Sequence, residues 1–173
     1  MKCFKKEFIL TQQKGKESLL NEICIMRRCN HPTLLKVHEI YESENSIYMV
    51  LDLLEGGELF ARLASKVFYD EDKIGKLITN LLSALNHLHN MNIMHRDLKP
   101  ENILLKSKES DTDIVIADFG LSTEIGPLEN ILFKRCGTPG FVGPEVLNFD
   151  EKKMQFYNAK CDIFSVGVIF YIL

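Results

Sequence analysis

Several signals that would narrow the function are missing from this sequence. Its five cysteines, Cys3, Cys24, Cys29, Cys136 and Cys161, are scattered, with no C-x-x-C pair. An odd number argues against a complete disulfide framework, and a zinc site would need clustered Cys or His ligands. There is no N-x-S/T acceptor, so nothing points to secretion. The start, MKCFKKEFIL, is basic but lacks a signal-peptide apolar core and a small-residue cleavage site. The most apolar stretch, 163–173, is too short to span a bilayer. A net charge of −3 exerts no global pull toward nucleic acid or an acidic membrane, so partner choice rests on local sites. Repeats and low-complexity tracts are lacking too. The expected environment is a reducing one, cytosol or nucleus.

What is present suits one compact domain: 173 residues, 46% hydrophobic and 26% charged, are enough to bury a core. Over 18–27 the apolar residues Leu19, Ile23 and Met26 take one helix face. Glu22 lies on that stripe, and a carboxylate on a buried face needs a cationic partner or a water-filled pocket. His31-Pro32 ends the helix. Residues 34–40 and 46–51 read as two strands turning at Ser43-Glu44-Asn45. Glu55-Gly56-Gly57-Glu58 signals a loop or helix entry. The strongest helix is 70–89, with the stripe Ile74, Leu77, Ile78, Leu81, Leu85, Leu88, and with Asp70 or Asp72 serving its first turn. Residues 103–105 and 114–116 form a small hairpin around a polar loop, and 122–135 an extended surface segment containing Gly126-Pro127. Asp162 opens the run 163–173, which suggests a helix buried on most sides.

The polar motifs are more specific. His95-Arg96-Asp97-Leu98-Lys99-Pro100-Glu101-Asn102 follows the long helix and precedes a short strand. Asp118-Phe119-Gly120 stands sixteen residues beyond Asn102, directly after the strand 114–117. Gly137-Thr138-Pro139 and Pro144-Glu145 come later. Any one of these residues alone is most simply a surface carboxylate or amide. Together, in order and in these contexts, they resemble the signature set of protein kinases, H-R-D-L-x-x-x-N, D-F-G and A-P-E.

The resemblance implies an α+β, bilobal protein-kinase-like fold, truncated at both ends. Residues 1–54 would be the remnant of the small lobe, with its third strand, a helix, two strands and the hinge. Residues 55–173 would be the large-lobe portion, with the catalytic loop, the activation segment and the start of the buried helix. The implied reaction is transfer of the γ-phosphoryl group of ATP, with Mg²⁺, to serine or threonine hydroxyls of a protein. Such transfer needs positioning and charge neutralisation more than covalent chemistry. Asp97 would orient the substrate hydroxyl and accept its proton, and Lys99 would add positive charge beside the migrating phosphoryl. Asn102 and Asp118 would supply hard oxygen ligands for Mg²⁺. The family's strand lysine and helix glutamate match Lys2 and Glu22, twenty residues apart, with Lys5 and Lys6 as rivals to Lys2.

Further positions match one by one. Leu51 falls at the back of the adenine pocket, and Asp52 to Leu54 align with the hinge. Met26, Val37, His95 and Phe119 match the apolar spine joining the lobes, and Asp162 the buried acid below the catalytic loop. For the spine this role and plain core packing hardly differ. Glu58 is placed in the cofactor-binding set. With Glu101 it also matches acids that, in basophilic relatives, pair with arginine upstream of the target residue, so the implied substrate carries basic upstream residues. Lys99 and Gly137-Thr138-Pro139 look like serine/threonine kinases, and Asp118 to Ser122 and Cys136 to Gly140 most resemble the calcium/calmodulin-dependent group.

The sequence also departs from the pattern. No G-x-G-x-x-G precedes Lys2, and Gly137, Gly140 and Gly143 lie too late to replace it. Gly143, Phe141 and Phe164 stand where the family usually has alanine, tyrosine and tryptophan. Lys134 stands where many relatives carry a phosphorylatable threonine, so phosphorylation there is not expected to be the switch. The competing expectation is a catalytically silent or regulatory kinase-like fragment.

Overall fold

The computed structural model of the chain describes residues 1–11, 15–64, 70–126, 136–149 and 157–173. Lys134 and most of the expected 122–135 segment lie outside the described residues. The N-terminal sheet has strand order β1-β3-β2, all antiparallel: β1 is Lys2–Lys5, β2 Val37–Glu42 and β3 Ser46–Leu51. Lys2 lies on β1. The β2–β3 turn closes through Ser43, whose N–H donates to Ser46 O at 2.8 Å while its Oγ accepts the Ser46 N–H at 3.1 Å.

The strand expected over 34–40 starts later, at Val37. Residues 33–35 are taken by another partner: Ile116 N–H donates to Thr33 O and Leu35 N–H to Ile116 O, at 2.9 and 3.0 Å. Leu34 thereby makes a parallel bridge with Ile116, a pairing of distant residues that no local pattern announces.

Two helices cover this sheet. The short α1, Lys6–Thr11, was not expected: six residues carry too little periodicity to read, and none of them is buried. The second, α2, spans Gly15–Arg28 and buries Leu19, Glu22, Ile23, Ile25 and Met26. Glu17 in its first turn and Arg27 and Arg28 in its last complement the helix dipole.

The rest of the chain is organised by the long helix. After β4, Gly57–Glu58, and α3, Leu59–Ala64, comes α4, Glu71–Asn90. Asp70 caps α4, its carboxylate accepting the Asp72 N–H. Leu77, Leu81, Ala84, Leu85 and Leu88 are fully buried along one face, as the periodicity predicts, while Ile74 and Ile78 are half-buried at its edge. Truncating one of these leucines, Leu81→Ala for instance, is worth about 2–5 kcal/mol of stability.

Beyond α4, β5 (Ile93–Met94) pairs with β8 (Thr123–Glu124), a short strand inside the expected extended segment. The expected hairpin is present as β6, Ile103–Leu105, and β7, Ile114–Ile116, with β4 on the outer side of β6. Only glycine fits at position 56, where an added Cβ would lie 2.3 Å from Leu105 Cβ and 2.6 Å from Leu105 O.

The last helices are α5, Pro144–Leu147, and α6, Lys160–Ile172. The expectation that α6 is buried on most sides fails. It packs on α4 through a face that includes Cys161, Asp162, Ser165, Val166 and Ile169. Phe170 and Tyr171 remain 58% and 91% exposed. Its composition is apolar all round, but among the described residues one long helix covers only one side.

Candidate active site

The motif His95–Asn102 forms a loop between β5 and β6, and its shape depends on one buried carboxylate. Asp162, 1% exposed at the start of α6, accepts the His95 N–H through Oδ2 at 2.9 Å and the Arg96 N–H through Oδ1 at 2.8 Å. His89 Nε2 on α4 meets the same Oδ2 at 2.9 Å. These bonds hold Arg96 at φ +67°, a left-handed conformation that a non-glycine residue adopts only when its surroundings force it. The Arg96 side chain adds bonds to Leu121 O at 2.7 Å and Tyr157 Oη at 3.2 Å. Asp162 thus sits where the resemblance implied.

The turn at Arg96 aims Asp97 at two partners. Thr138 Oγ1 donates to Asp97 Oδ1 at 2.6 Å, and Lys99 Nζ lies 3.1 Å from both Asp97 Oδ2 and Thr138 Oγ1. Burial pushes the Asp97 carboxyl up, but the Thr138 hydroxyl and the Lys99 ammonium outweigh it and hold the group below the usual aspartate value. Asp97 is therefore ionised at neutral pH. Thr138 was legible as part of a motif, but its bond to Asp97 spans 41 residues and was not. The neighbouring Gly137 must be glycine: its φ is +104°, and a Cβ would lie 2.7 Å from Arg96 O.

Asn102 closes the loop. Its Nδ2 donates to Asp97 O at 2.8 Å and to Asp97 Oδ2 at 3.3 Å, which leaves Oδ1 as the atom free to bind a cation. Its carbonyl accepts the Ala117 N–H at 2.8 Å, bringing the residue before Asp118 against the loop. Asp118 has φ +61° and an exposed carboxylate whose Oδ1 accepts the Gly120 N–H at 3.1 Å. On either side of it Ala117 and Phe119 are buried. Phe119 meets the His95 ring edge-on at 5.1 Å and belongs to the same core cluster as Met26, against which Val37 also packs. Of the four expected spine residues, Met26, His95 and Phe119 are buried and Val37 is half-buried against the cluster that holds Met26 and Phe119. His95 is fully buried and its pKa is lowered, first by burial, so its ring is neutral.

Glu22 finds the partner its burial demanded. Lys2 Nζ lies 3.4 Å from Glu22 Oε1, while Lys5 pairs with Glu7 at 4.0 Å and Lys6 with Glu42 at 2.6 Å. Gly120 links this pair to Asp118: a Cβ there would lie 3.1 Å from Asp118 Oδ1 and 3.9 Å from Glu22 Oε2. Two further bonds tie α2 to this segment, Asn21 Nδ2 to Ser122 O at 2.8 Å and Ser18 Oγ to Gly120 O at 3.5 Å. The ion pair between Arg28 and Glu124 joins the same two regions. Asn21 was not singled out from sequence, because an exposed polar residue on a helix carries no local signal.

The remaining expected residues are less committed. Leu51 ends β3, half-buried, opposite Val37. Asp52 directs its carboxylate toward the start of β2, to His38 Nε2 at 2.7 Å and the Lys36 N–H at 3.3 Å, so only its backbone faces elsewhere. Leu54 is half-buried, and among the described residues its N–H has no backbone partner. Glu58 is exposed on β4 and Glu101 is exposed in a short 3-10 turn, Pro100–Asn102.

With this geometry in place, comparison with known proteins gives the class. The chain belongs to the protein kinase domain family, whose model matches residues 1–173. It is 43% identical over 157 residues to myosin light chain kinase A of Dictyostelium discoideum, covering 91% of this chain and 51% of that protein. Calcium/calmodulin-dependent protein kinase type 1 of Macrobrachium nipponense is 44% identical over 161 residues, covering 92% and 45%. The human calcium/calmodulin-dependent protein kinase type 1B is 40% identical over 175 residues, covering 100% and 48%. The chain spans about half the length of these curated relatives. As a family, protein kinases use ATP and Mg²⁺ and act on protein substrates.

Proposed function

We propose that this chain carries the phosphotransfer centre of a protein serine/threonine kinase. The observation that supports the reading best is the grouping of Asp97, Lys99 and Asn102 in one loop, with Asp118 hydrogen-bonded alongside through Ala117. The donor set suits a hard divalent cation, since Asn102 Oδ1 and the exposed Asp118 carboxylate are both oxygen ligands. Those two residues would hold Mg²⁺, which when bound neutralises charge on the nucleotide phosphates. Lys2, held by Glu22, would bind the α- and β-phosphates. Beyond Leu51, the Asp52 carbonyl and the Leu54 N–H would recognise the edge of the adenine base. Exposed Glu58 would complete this nucleotide-binding set.

The ionised Asp97 then accepts the proton of a serine or threonine hydroxyl as its oxygen bonds to the γ-phosphorus and ADP departs. Lys99 neutralises charge on the transferred group. The small-lobe portion is assigned to 1–54 and the large-lobe portion to 55–173. Exposed Glu58 and Glu101 favour protein substrates with basic residues upstream of the target. The free cysteines fit a reducing compartment, cytosol or nucleus.

Thermal melting with and without Mg-ATP tests the nucleotide site. An upward shift in Tm, lost in Asp118→Asn, supports the reading. The rival reading, a catalytically silent regulatory chain, predicts no shift, and that result would remove the proposal.

A further inference from the structure

His31 and His87 meet where the turn after α2 lies on α4, away from Asp97. Their ring centroids are 5.3 Å apart at an interplanar angle of 32°. His31 Nδ1 accepts the Thr33 N–H at 3.2 Å, and its Nε2 lies 3.1 Å from Ser83 Oγ. A ring nitrogen that accepts an N–H carries no proton, so in the neutral ring the proton sits on Nε2, facing the serine hydroxyl. That tautomer leaves neither nitrogen free for a metal ion. His87 Nε2 is closed off from solvent and has no hydrogen-bond partner among the described residues.

The turn is hydrogen-bonded to the strand before Asp118. Thr33 is buried, its carbonyl accepts the Ile116 N–H, and Leu35 N–H donates to Ile116 O. Ile116 ends β7, two residues ahead of Asp118. The bond from His31 to Thr33 therefore fixes the same backbone that pairs with β7.

We infer that His31 and His87 form a proton-sensitive latch, which holds the 31–35 turn on α4 and thereby supports β7 next to Asp118. Protonation of His31 would set two donors, Nδ1–H and the Thr33 N–H, against each other with no acceptor between them. It would also create a cation beside His87 on α4 and Lys106 just after β6. Those two groups oppose a positive charge on His31. Burial first, then His87 and Lys106, hold the His31 pKa below its ordinary value. The latch therefore contributes fully above the unfolded value of about 6.5 and is lost as pH falls through the lower folded value. None of this depends on phosphotransfer.

The test is amide hydrogen exchange at Leu35 and Ile116, corrected for intrinsic rates, between about pH 7.5 and about pH 5.5, the range in which histidine titrates. His31→Asn is the decisive variant: asparagine can accept the N–H two residues on and does not titrate. Protection of both amides is expected to fall about fivefold more in the wild type than in His31→Asn, the fold change of one lost hydrogen bond. His87→Phe, which keeps a ring and removes the second imidazole, should show a fall smaller than wild type. Equal falls in wild type and His31→Asn would overturn the inference. If His31→Asn does not fold, equal falls in wild type and His87→Phe overturn it.

Discussion

Asp162 and Glu22 are both buried carboxylates, 1% and 7% exposed, yet they are held very differently. Asp162 meets three nitrogen partners, two of them backbone N–H groups that cannot leave without unfolding the loop. Among the described residues Glu22 has one polar partner, Lys2 at 3.4 Å, whose side chain is 47% exposed. The His95–Asn102 loop is thus held by backbone donors, while the Lys2–Glu22 pair rests on one half-exposed side chain. On the proposed reading, the proton acceptor sits in the rigid loop and the phosphate-binding lysine is the adjustable part.

That contrast can be broken by mutation. The largest effect is expected at the rigid end: Asp97→Asn should slow peptide phosphorylation by about 10²–10⁴, the range for losing a positioned base. A near-normal rate in a radiolabel assay would take Asp97 out of the reaction. Asp162→Ala should cost about 3–5 kcal/mol in urea denaturation, because two backbone N–H groups and His89 lose their acceptor in the interior. A loss as small as that of a surface substitution would mean that the loop is held some other way.

Thr138→Val should raise the Asp97 pKa by deleting its shortest hydrogen bond, moving the acid limb of the pH–rate profile upward. The sign is fixed by the depressed value: Asp97 stabilises the fold above the ordinary aspartate pKa, and that contribution disappears as pH falls through the lower folded value. An unmoved acid limb would show that Lys99 alone sets the ionisation. The smallest effect belongs to the adjustable end. Glu22→Gln should change stability by less than about 1 kcal/mol, since a half-exposed lysine is well screened, while reducing the Mg-ATP shift in Tm. A large loss of stability would erase the distinction between the two ends.

Local patterns carried much of the architecture. The α4 stripe, the β6–β7 hairpin and the β2–β3 turn were all legible, because each depends on neighbours within a few residues. So was the demand that Glu22 find a cation, since a carboxylate on an apolar face has few alternatives. The short elements α1, β5 and β8 were not legible, being stabilised by what they touch and not by their own periodicity. The exposed side of α6 escaped for the opposite reason: its composition says that it can be buried, not that anything covers it.

By itself the chain's order of residues determined the family, the identity of the acidic and amide groups, and the helices and strands that present them. Only the tertiary structure decided that Asp97 is shared between Lys99 and Thr138, that Asp52 turns its carboxylate away toward His38, and that the turn after α2 is captured by β7. Each of those outcomes joins residues distant in sequence or chooses among competing hydrogen-bond partners. Such choices are settled by which groups folding brings within about 3 Å of one another.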